Sequence, residues 1–282
     1  MKKSFVFSAL ALVSSALALS SCGNAQEDVI RIGMECNYAP FNWSLNQENE
    51  FSLPIANLAA KHADGYDVQI AKRIASYSGR KVEIVATTWE ALVPDLQSGD
   101  LDLIVAGMSD TEERRRSISF SDEYYRSELV LIASKEIADA YEGPLGEEEF
   151  SALVSGKHLV SQSGTITYSV IADEFSKFGA IQDTAVSTFQ IAAEDVKSGV
   201  SFAMTAELPV AESIAANYPT LGIIHINQDI LGESKSELGV SIGLRKGDAF
   251  LLKMVNDVLS TISSEERISL MAGAVERSSD SK

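Results

Sequence analysis

Three consecutive arginines at positions 114–116 follow a cluster of acidic residues in the segment AGMSDTEERRRSISFS, residues 106–121. A guanidinium group stays charged when it is desolvated, and its planar fork can donate two parallel hydrogen bonds to a carboxylate. One arginine of this run can therefore bind an anionic group while the others stay solvated. The acidic residues have a local explanation, because Ser109 and Glu112 have the spacing of a capping box at a helix N-terminus.

The elements around this segment predict an α/β chain, because short apolar runs alternate with amphipathic stretches from Val29 onward. Residues 100–108, DLDLIVAGM, predict a strand that ends where the charged segment begins, and ligands of open α/β sheets bind beyond the carboxyl ends of strands. Residues 67–79 predict an amphipathic helix with Asp67 as its N-cap. The segment 44–63 is longer than the usual βα loop and is predicted to be an insertion at the mouth of the site.

The composition favours a globular protein that binds a small molecule. The 282 residues are long enough for two compact domains, and the formal net charge of −17 argues against nucleic acid, because a duplex binder needs a basic surface. The three histidines lack the spacing of metal ligands, and the chain has no P-loop, GxSxG or GxGxxG motif. We therefore predict no metal, no cofactor and no enzymatic activity.

The N-terminus has the pattern of an export signal, in which Lys2 and Lys3 precede an uncharged apolar stretch too short to span a bilayer. Residues 19–22, Leu-Ser-Ser-Cys, resemble the lipobox of bacterial lipoproteins. We predict a signal peptide over residues 1–21, a lipidated Cys22 and export to the outer face of a bacterial membrane, in the periplasm or at the cell surface; a plain secretory peptide is the alternative. Cleavage leaves 21 basic against 40 acidic side chains, so the lipid and not charge must hold the protein at the membrane.

Six segments, in the same order over nearly the whole exported chain, carry the pattern of one family. They are NYAPFNW (37–43), GYDVQIAKRIA (65–75), WEALVPDLQSGDLDLIVAGMSDTEERRRSISFSDEYY (89–125), SQSGT (161–165), SGVSFAMTAELPVA (198–211) and GVSIGLRKGD (239–248). These segments resemble the extracytoplasmic substrate-binding proteins of polar amino-acid ABC importers, solute-binding protein family 3. The long third segment is specific, which argues against a chance similarity.

The resemblance implies a type II periplasmic-binding-protein fold, an α/β architecture of two lobes, each a mixed sheet flanked by helices, that close on an amino acid about two hinge strands. Lobe 1 is then expected over residues 29–127 and 241–282, and lobe 2 over residues 128–240. The hinges are expected near 127–129 and 239–241. Such a protein acts as a monomer that delivers its ligand to the permease and ATPase subunits of the transporter.

The resemblance also implies a role for individual residues. Arg114 falls on the position that binds the ligand α-carboxylate, and Glu207 falls on the position that accepts from the ligand ammonium group, where relatives usually have an Asp. Thr165, at a predicted helix N-terminus, matches a carboxylate contact from lobe 2. The other expected ligand contacts are backbone, hydroxyl and aromatic groups: Tyr38, Phe41, Trp89, Gly107, Met108, Ser109 and Ser163.

The charges of the expected pocket indicate which amino acid it binds. Glu35 stands where relatives often carry an Asp that accepts hydrogen bonds from the ligand side chain. With Arg114 and Glu207 the pocket then carries one net negative charge, which a cationic amino acid neutralises and an acidic one aggravates. We predict a polar, cationic ligand, with arginine or lysine first. The alternatives are glutamine or another amide, a cyclohexadienyl-dehydratase-like enzyme on the same fold, and an adhesin or sensor without a ligand.

Overall fold

The computed structural model describes residues 29–280, and the predicted signal peptide and Cys22 lie outside these residues. In chain order the strands are β1 (Val29–Met34), β2 (Asn37–Tyr38), β3 (Asn42–Leu45), β4 (Leu53–Pro54), β5 (His62–Asp64), β6 (Lys81–Ala86), β7 (Leu103–Ile104), β8 (Ser119–Arg126), β9 (Leu129–Ser134), β10 (His158–Val160), β11 (Ile181–Gln182), β12 (Ala203–Glu207), β13 (Leu221–His225) and β14 (Gly239–Leu244). The α-helices are α1 (Tyr66–Ser78), α2 (Trp89–Ser98), α3 (Glu112–Arg115), α4 (Lys135–Ala138), α5 (Glu147–Val154), α6 (Ile166–Asp173), α7 (Phe189–Ser198), α8 (Leu208–Asn217), α9 (Ala249–Ser260) and α10 (Ser264–Asp280).

Two five-stranded mixed sheets form the centres of two lobes, which confirms the predicted fold class. The sheet of lobe 1 has the order β6-β1-β7-β14-β8, and the sheet of lobe 2 has the order β11-β10-β12-β9-β13. The chain passes from β8, which ends at Arg126, to β9, which begins at Leu129, and returns through a 3₁₀ segment over Gln228–Leu238. The division of the chain at residues 128 and 241 stays a prediction.

Strand β9 lies inside lobe 2 with both of its faces covered. Its residues Leu129 to Ala133 are all inaccessible to solvent, and neighbouring side chains belong to different apolar cores. Val130 and Ile132 belong to the larger core, which continues into lobe 1, while Leu129 and Leu131 belong to a second core that also contains residues of α5 and α6. The unbroken apolar run of this strand is typical of a strand buried on both faces.

Helix α1 shows the predicted amphipathic face but does not begin at the predicted cap. Val68 and Ile70 are buried, as the periodicity requires. The N-cap is Gly65 at φ 136°, where an added Cβ would lie 2.2 Å from the carbonyl oxygen of Phe41. The prediction of Asp67 as the cap is wrong, because Asp67 lies within the first turn and its side chain points into the protein.

The segment 44–63 contributes to a small antiparallel sheet with the order β2-β3-β5-β4. It is tied to the C-terminal helix, since Arg277 lies 4.1 Å from the ring centre of Phe51 and donates two hydrogen bonds of 3.0 Å to Asp64, the residue that follows the segment. Asp64 is fully buried, so this ion pair is partly shielded from water. The predicted insertion is therefore an ordered part of lobe 1.

Helix α10 packs on helices of both lobes, on α1 in lobe 1 and on α8 in lobe 2. Ser278 of α10 and Ser213 of α8 are both buried, and their Oγ atoms lie 2.9 Å apart. The C-terminal helix is thus a contact between the lobes in addition to the two crossings of the chain. No helix between residues 29 and 280 combines the length and the hydropathy needed to cross a bilayer.

Candidate functional site

The three arginines of the charged segment have different surroundings. The side chains of Arg115 and Arg116 are 64% and 75% exposed. Arg115 binds Asp110 at 2.6 Å and Arg116 lies 3.6 Å from Glu112, and exposed ion pairs of this kind contribute little to stability. The side chain of Arg114 instead turns into the cleft between the lobes.

The guanidinium of Arg114 joins the two lobes. It donates to the backbone oxygen of Ser109 at 2.7 Å and to that of Gly164, in lobe 2, at 2.8 Å, and it lies 5.2 Å from the ring centre of Trp89. Burial lowers the pKa of Arg114 to about 10, so the group is still charged at neutral pH. Thr111, and not the predicted Ser109, caps α3, because its Oγ1 accepts from the backbone N–H of Arg114 at 3.2 Å.

Glu207 provides a buried carboxylate at the start of α8. Glu207 is only 6% exposed, and its carboxylate accepts a hydrogen bond of 2.7 Å from the hydroxyl of Tyr38 across the cleft. Burial raises the pKa of Glu207, and the hydrogen bond from Tyr38 opposes that shift. Neutral donors compensate a buried charge poorly, so a cation placed beside this carboxylate is stabilised.

Glu35 provides a second carboxylate, held by a residue of the other lobe. The amide nitrogen of Gln162 donates to Oε1 of Glu35 at 2.9 Å. Burial raises the pKa of Glu35 to about 7, the hydrogen bond from Gln162 opposes the shift, and the neighbouring charge of Glu90 adds to it. The carboxyl group of Glu35 therefore changes its charge near neutral pH.

The N-terminus of α6 adjoins Arg114 through Gly164. Thr165 caps this helix by accepting from the backbone N–H of Tyr168 at 3.2 Å, and its own hydroxyl donates to the backbone oxygen of Gln162 at 2.7 Å. The positive end of a helix dipole and a guanidinium thus lie side by side. This part of the cleft suits an anionic group.

These groups surround a cavity of about 10 Å³ between the lobes. A volume of this size holds about one water molecule, so the lobes must separate to admit an amino acid. The residues that line the cavity are Glu35, Tyr38, Trp89, Gly107, Ser109, Arg114, Gln162, Thr165, Ile166, Phe189 and Glu207.

Three of the predicted contact residues do not line the cavity. Phe41 is fully buried and stacks on the far side of Tyr38, with ring centres 5.2 Å apart. Met108 is also buried, and its carbonyl accepts from the backbone N–H of Ser241 at 2.9 Å. Ser163 donates its backbone N–H to Val186 at 2.8 Å. These residues shape the loops that carry the lining groups.

Three lining residues, Gln162, Ile166 and Phe189, were not predicted. Gln162 stands inside the SQSGT segment, next to predicted residues, and that position was the available signal. Phe189 is the first residue of an amphipathic helix, where an aromatic side chain indicates a core position. Its ring lies 5.0 Å from that of Tyr38, a contact that exists only because lobe 2 closes on lobe 1.

Comparison with known proteins assigns the chain to a class. It belongs to the bacterial extracellular solute-binding proteins, family 3, whose sequence model matches residues 30–272. Among curated relatives, it is 25% identical over 273 residues to the lysine/arginine/ornithine-binding periplasmic protein of Escherichia coli, covering 96% of each chain. It is also 25% identical over 267 residues to a protein of Neisseria gonorrhoeae named "Probable histidine-binding protein", covering 90% of this chain and 89% of that protein.

Solved structures agree with the fold. The amino-acid ABC transporter substrate-binding protein AbpA of Streptococcus pneumoniae, bound to L-arginine, is similar with a TM-score of 0.72. The identity is 23%, and the likeness covers 89% of this chain and 96% of that chain. At this identity the likeness shows the type II periplasmic-binding-protein fold and does not identify the ligand, which has to be inferred from the residues of the cleft.

Proposed function

We propose that the protein captures a cationic L-amino acid, arginine or lysine first, by closure of the two lobes. The observation that carries this proposal is the set of charges at the cavity, one guanidinium on Arg114 against the two carboxylates of Glu35 and Glu207. In this proposal Arg114 binds the ligand α-carboxylate, Glu207 binds its ammonium group and Glu35 binds its cationic side chain. Within each of these three pairs the opposite charges neutralise each other, as a pocket without water requires.

The remaining lining groups complete the proposed contacts. Tyr38 and Trp89 present aromatic faces to the aliphatic part and the charged ends of the ligand. The loop of Gly107 and Ser109 offers backbone groups, and Thr165 adds the N-terminus of α6 to the carboxylate site. Relatives named for binding lysine, arginine, ornithine and histidine support a ligand of this class.

The proposed setting is the outer face of a bacterial membrane. We propose that the protein is exported, is anchored through a lipid on Cys22, and acts as a monomer with the permease and ATPase subunits of an ABC importer. Family membership supports a role in transport and not in catalysis. We further propose that the lobes extend over residues 29–127 with 241–282 and over residues 128–240, as the sequence predicts.

A glutamine-like amide is the second candidate ligand. The amide nitrogen of Gln162 already donates to Glu35 at 2.9 Å, which is the bond that a ligand amide would make. An amide needs an acceptor but no compensating charge, so this ligand fits both charge states of Glu35. The charge balance of the site still favours a cation when Glu35 is ionised.

A thermal-shift screen against the twenty amino acids tests the proposed function. Arginine and lysine are expected to bind most tightly and therefore to raise the unfolding temperature most. A ligand at 100 times its Kd stabilises the folded state by about 2.7 kcal/mol. Glutamine is expected to give a smaller shift. Stabilisation by glutamate alone, or by leucine alone, would contradict the charge argument, and no shift with any amino acid would contradict the proposed function.

The affinity for arginine is expected to fall as the pH drops below about 7, where Glu35 takes up a proton. A cationic side chain favours the ionised carboxylate, so binding below this pH must expel the proton and weakens by up to about tenfold per pH unit. Glutamine keeps the contacts of Arg114 and Glu207 but needs no charge on Glu35. The ratio of the two affinities, measured by calorimetry at about pH 8 and pH 6, reports on Glu35.

The Glu35→Gln variant is the matched control for this pH dependence. Burial raises the pKa of Glu207, and it raises the pKa of Asp67 to about 7, but both groups act on the two ligands alike. The ratio of affinities is therefore expected to be independent of pH in the variant. An unchanged pH dependence in Glu35→Gln would show that another group controls it.

A further inference from the structure

A buried carboxylate that takes no part in the proposed ligand contacts lies beneath the cavity. Asp67, in the first turn of α1, is inaccessible to solvent. Its Oδ1 accepts from the hydroxyl of Tyr124 at 2.7 Å, and its Oδ2 accepts from the amide nitrogen of Asn42 at 2.8 Å. Both donors are themselves fully buried. A buried carboxylate is costly, so its presence here calls for a role.

Each of the two donors makes a second hydrogen bond to a segment of the binding site. The hydroxyl of Tyr124 accepts from the backbone N–H of Gly107 at 2.9 Å. The Oδ1 of Asn42 accepts from the backbone N–H of Cys36 at 2.8 Å. A single carboxylate is thus the common acceptor of two chains of hydrogen bonds that end in different parts of lobe 1.

The two backbone amides at the ends of these chains belong to residues with unusual conformations. Cys36 has φ 57°, although it is not a glycine, and such a residue needs its surroundings to hold it. Gly107 has φ 59°, and an added Cβ would lie 2.8 Å from Cε1 of Tyr38. Cys36 follows Glu35 and precedes Tyr38 by two residues, so its conformation sets the directions of both side chains.

We propose that Asp67 is a positioning residue of the binding site, whose carboxylate fixes the segments 35–38 and 107–109 through Asn42 and Tyr124. This inference rests on the proposed function for its effect on the ligand. The segment 35–38 carries the proposed contact to the ligand side chain, and the segment 107–109 carries the contacts beside Arg114. Both ends of the ligand therefore depend on one buried acceptor.

The Asp67→Asn variant tests this role. The new amide still accepts from Tyr124, but its nitrogen faces the amide nitrogen of Asn42, so one hydrogen bond is lost and two donors oppose each other. The affinity for arginine is expected to fall by about tenfold or more, because Asn42, the partner of Cys36, loses the hydrogen bond that fixes it. The Tyr124→Phe variant is expected to weaken binding similarly from the side of Gly107, and it serves if Asp67→Asn does not fold.

An exchange of the two side chains separates positioning from mere packing. In the double variant Asn42→Asp/Asp67→Asn, the amide at 67 donates to the carboxylate at 42, while the other carboxylate oxygen accepts from Cys36. Every hydrogen bond of the network is restored, so the affinity is expected to return to within about threefold of the wild type. Failure of this double variant to recover binding overturns the proposal, as does wild-type affinity in Asp67→Asn or Tyr124→Phe.

Amide hydrogen exchange gives a second measurement that needs no ligand. In Asp67→Asn the N–H of Cys36 is expected to exchange faster than in the wild type, and in Tyr124→Phe that of Gly107, while amides of lobe 2 stay unchanged. If the wild type binds no amino acid but these amides lose protection, the proposed function fails and the positioning role stands. If they keep their protection in both variants, the positioning role fails whatever the ligand.

Discussion

The Arg114→Ala variant is expected to lose arginine binding almost completely, with an affinity about a thousandfold below that of the wild type. The ligand α-carboxylate would lose its only proposed guanidinium partner in a closed cleft, and removing one member of a buried ion pair costs about 3–5 kcal/mol. The guanidinium of Arg114 already bonds to backbone oxygens of both lobes, so closure itself also weakens. Isothermal titration calorimetry with arginine measures the change.

Two neighbouring arginines provide matched controls for this variant. Arg115→Ala and Arg116→Ala remove the same charge from the same segment, but both side chains are exposed to solvent. Their effect on affinity is expected to stay within about twofold. An equal loss of binding in Arg115→Ala and Arg114→Ala would mean that the net charge of this segment, and not one directed guanidinium, attracts the ligand.

The Glu207→Gln variant is expected to weaken arginine binding by about a hundredfold. The amide keeps the size of the side chain and can still accept from Tyr38, but it cannot neutralise the ligand ammonium group. Truncating one partner of a buried charge pair costs about 2–5 kcal/mol, largely because the other charge is left unpaired. The affinity for arginine, measured as for Arg114, and the temperature of unfolding without ligand separate binding from stability.

Tyr38→Phe is the control for the hydrogen bond that crosses the cleft at this point. It removes the donor to Glu207 but keeps the ring that stacks on Phe41 and Phe189. The loss of one neutral hydrogen bond is expected to change the affinity by less than about tenfold. If Tyr38→Phe weakens binding as much as Glu207→Gln, the crossing bond and not the charge of Glu207 is the important contribution.

The sequence predicts the elements of this fold well where a repeating pattern specifies them. The periodicity of α1 is confirmed, because the spacing of the apolar residues determines which face of the helix is buried. Helix N-caps are harder to predict, since any nearby hydroxyl or carboxylate can accept from the free N–H groups of the first turn. Thr111 caps α3 in place of Ser109. Asp67 accepts hydrogen bonds from Tyr124 and Asn42 and is not a helix cap.

The residues of the site divide in the same way. Arg114 and Glu207 stand in segments with a strong family pattern, so their positions at the cavity could be expected. The contacts of Gln162 with Glu35, and of Phe189 with Tyr38, join residues more than a hundred positions apart and depend on how the lobes meet. No local pattern encodes such contacts, and the same holds for the network around Asp67.

The order of strands in lobe 1 constrains when this lobe can be completed. Strand β14 lies between β7 and β8, although it follows all the strands of lobe 2 in the chain. Until β14 emerges, β8 cannot join its sheet, and Tyr124, which β8 carries, has no fixed place beneath Gly107. The strands of lobe 2 are consecutive in the chain and can pair first, so the lobe that begins the chain is the one that finishes folding. The cleft therefore forms only when nearly all of the chain is present.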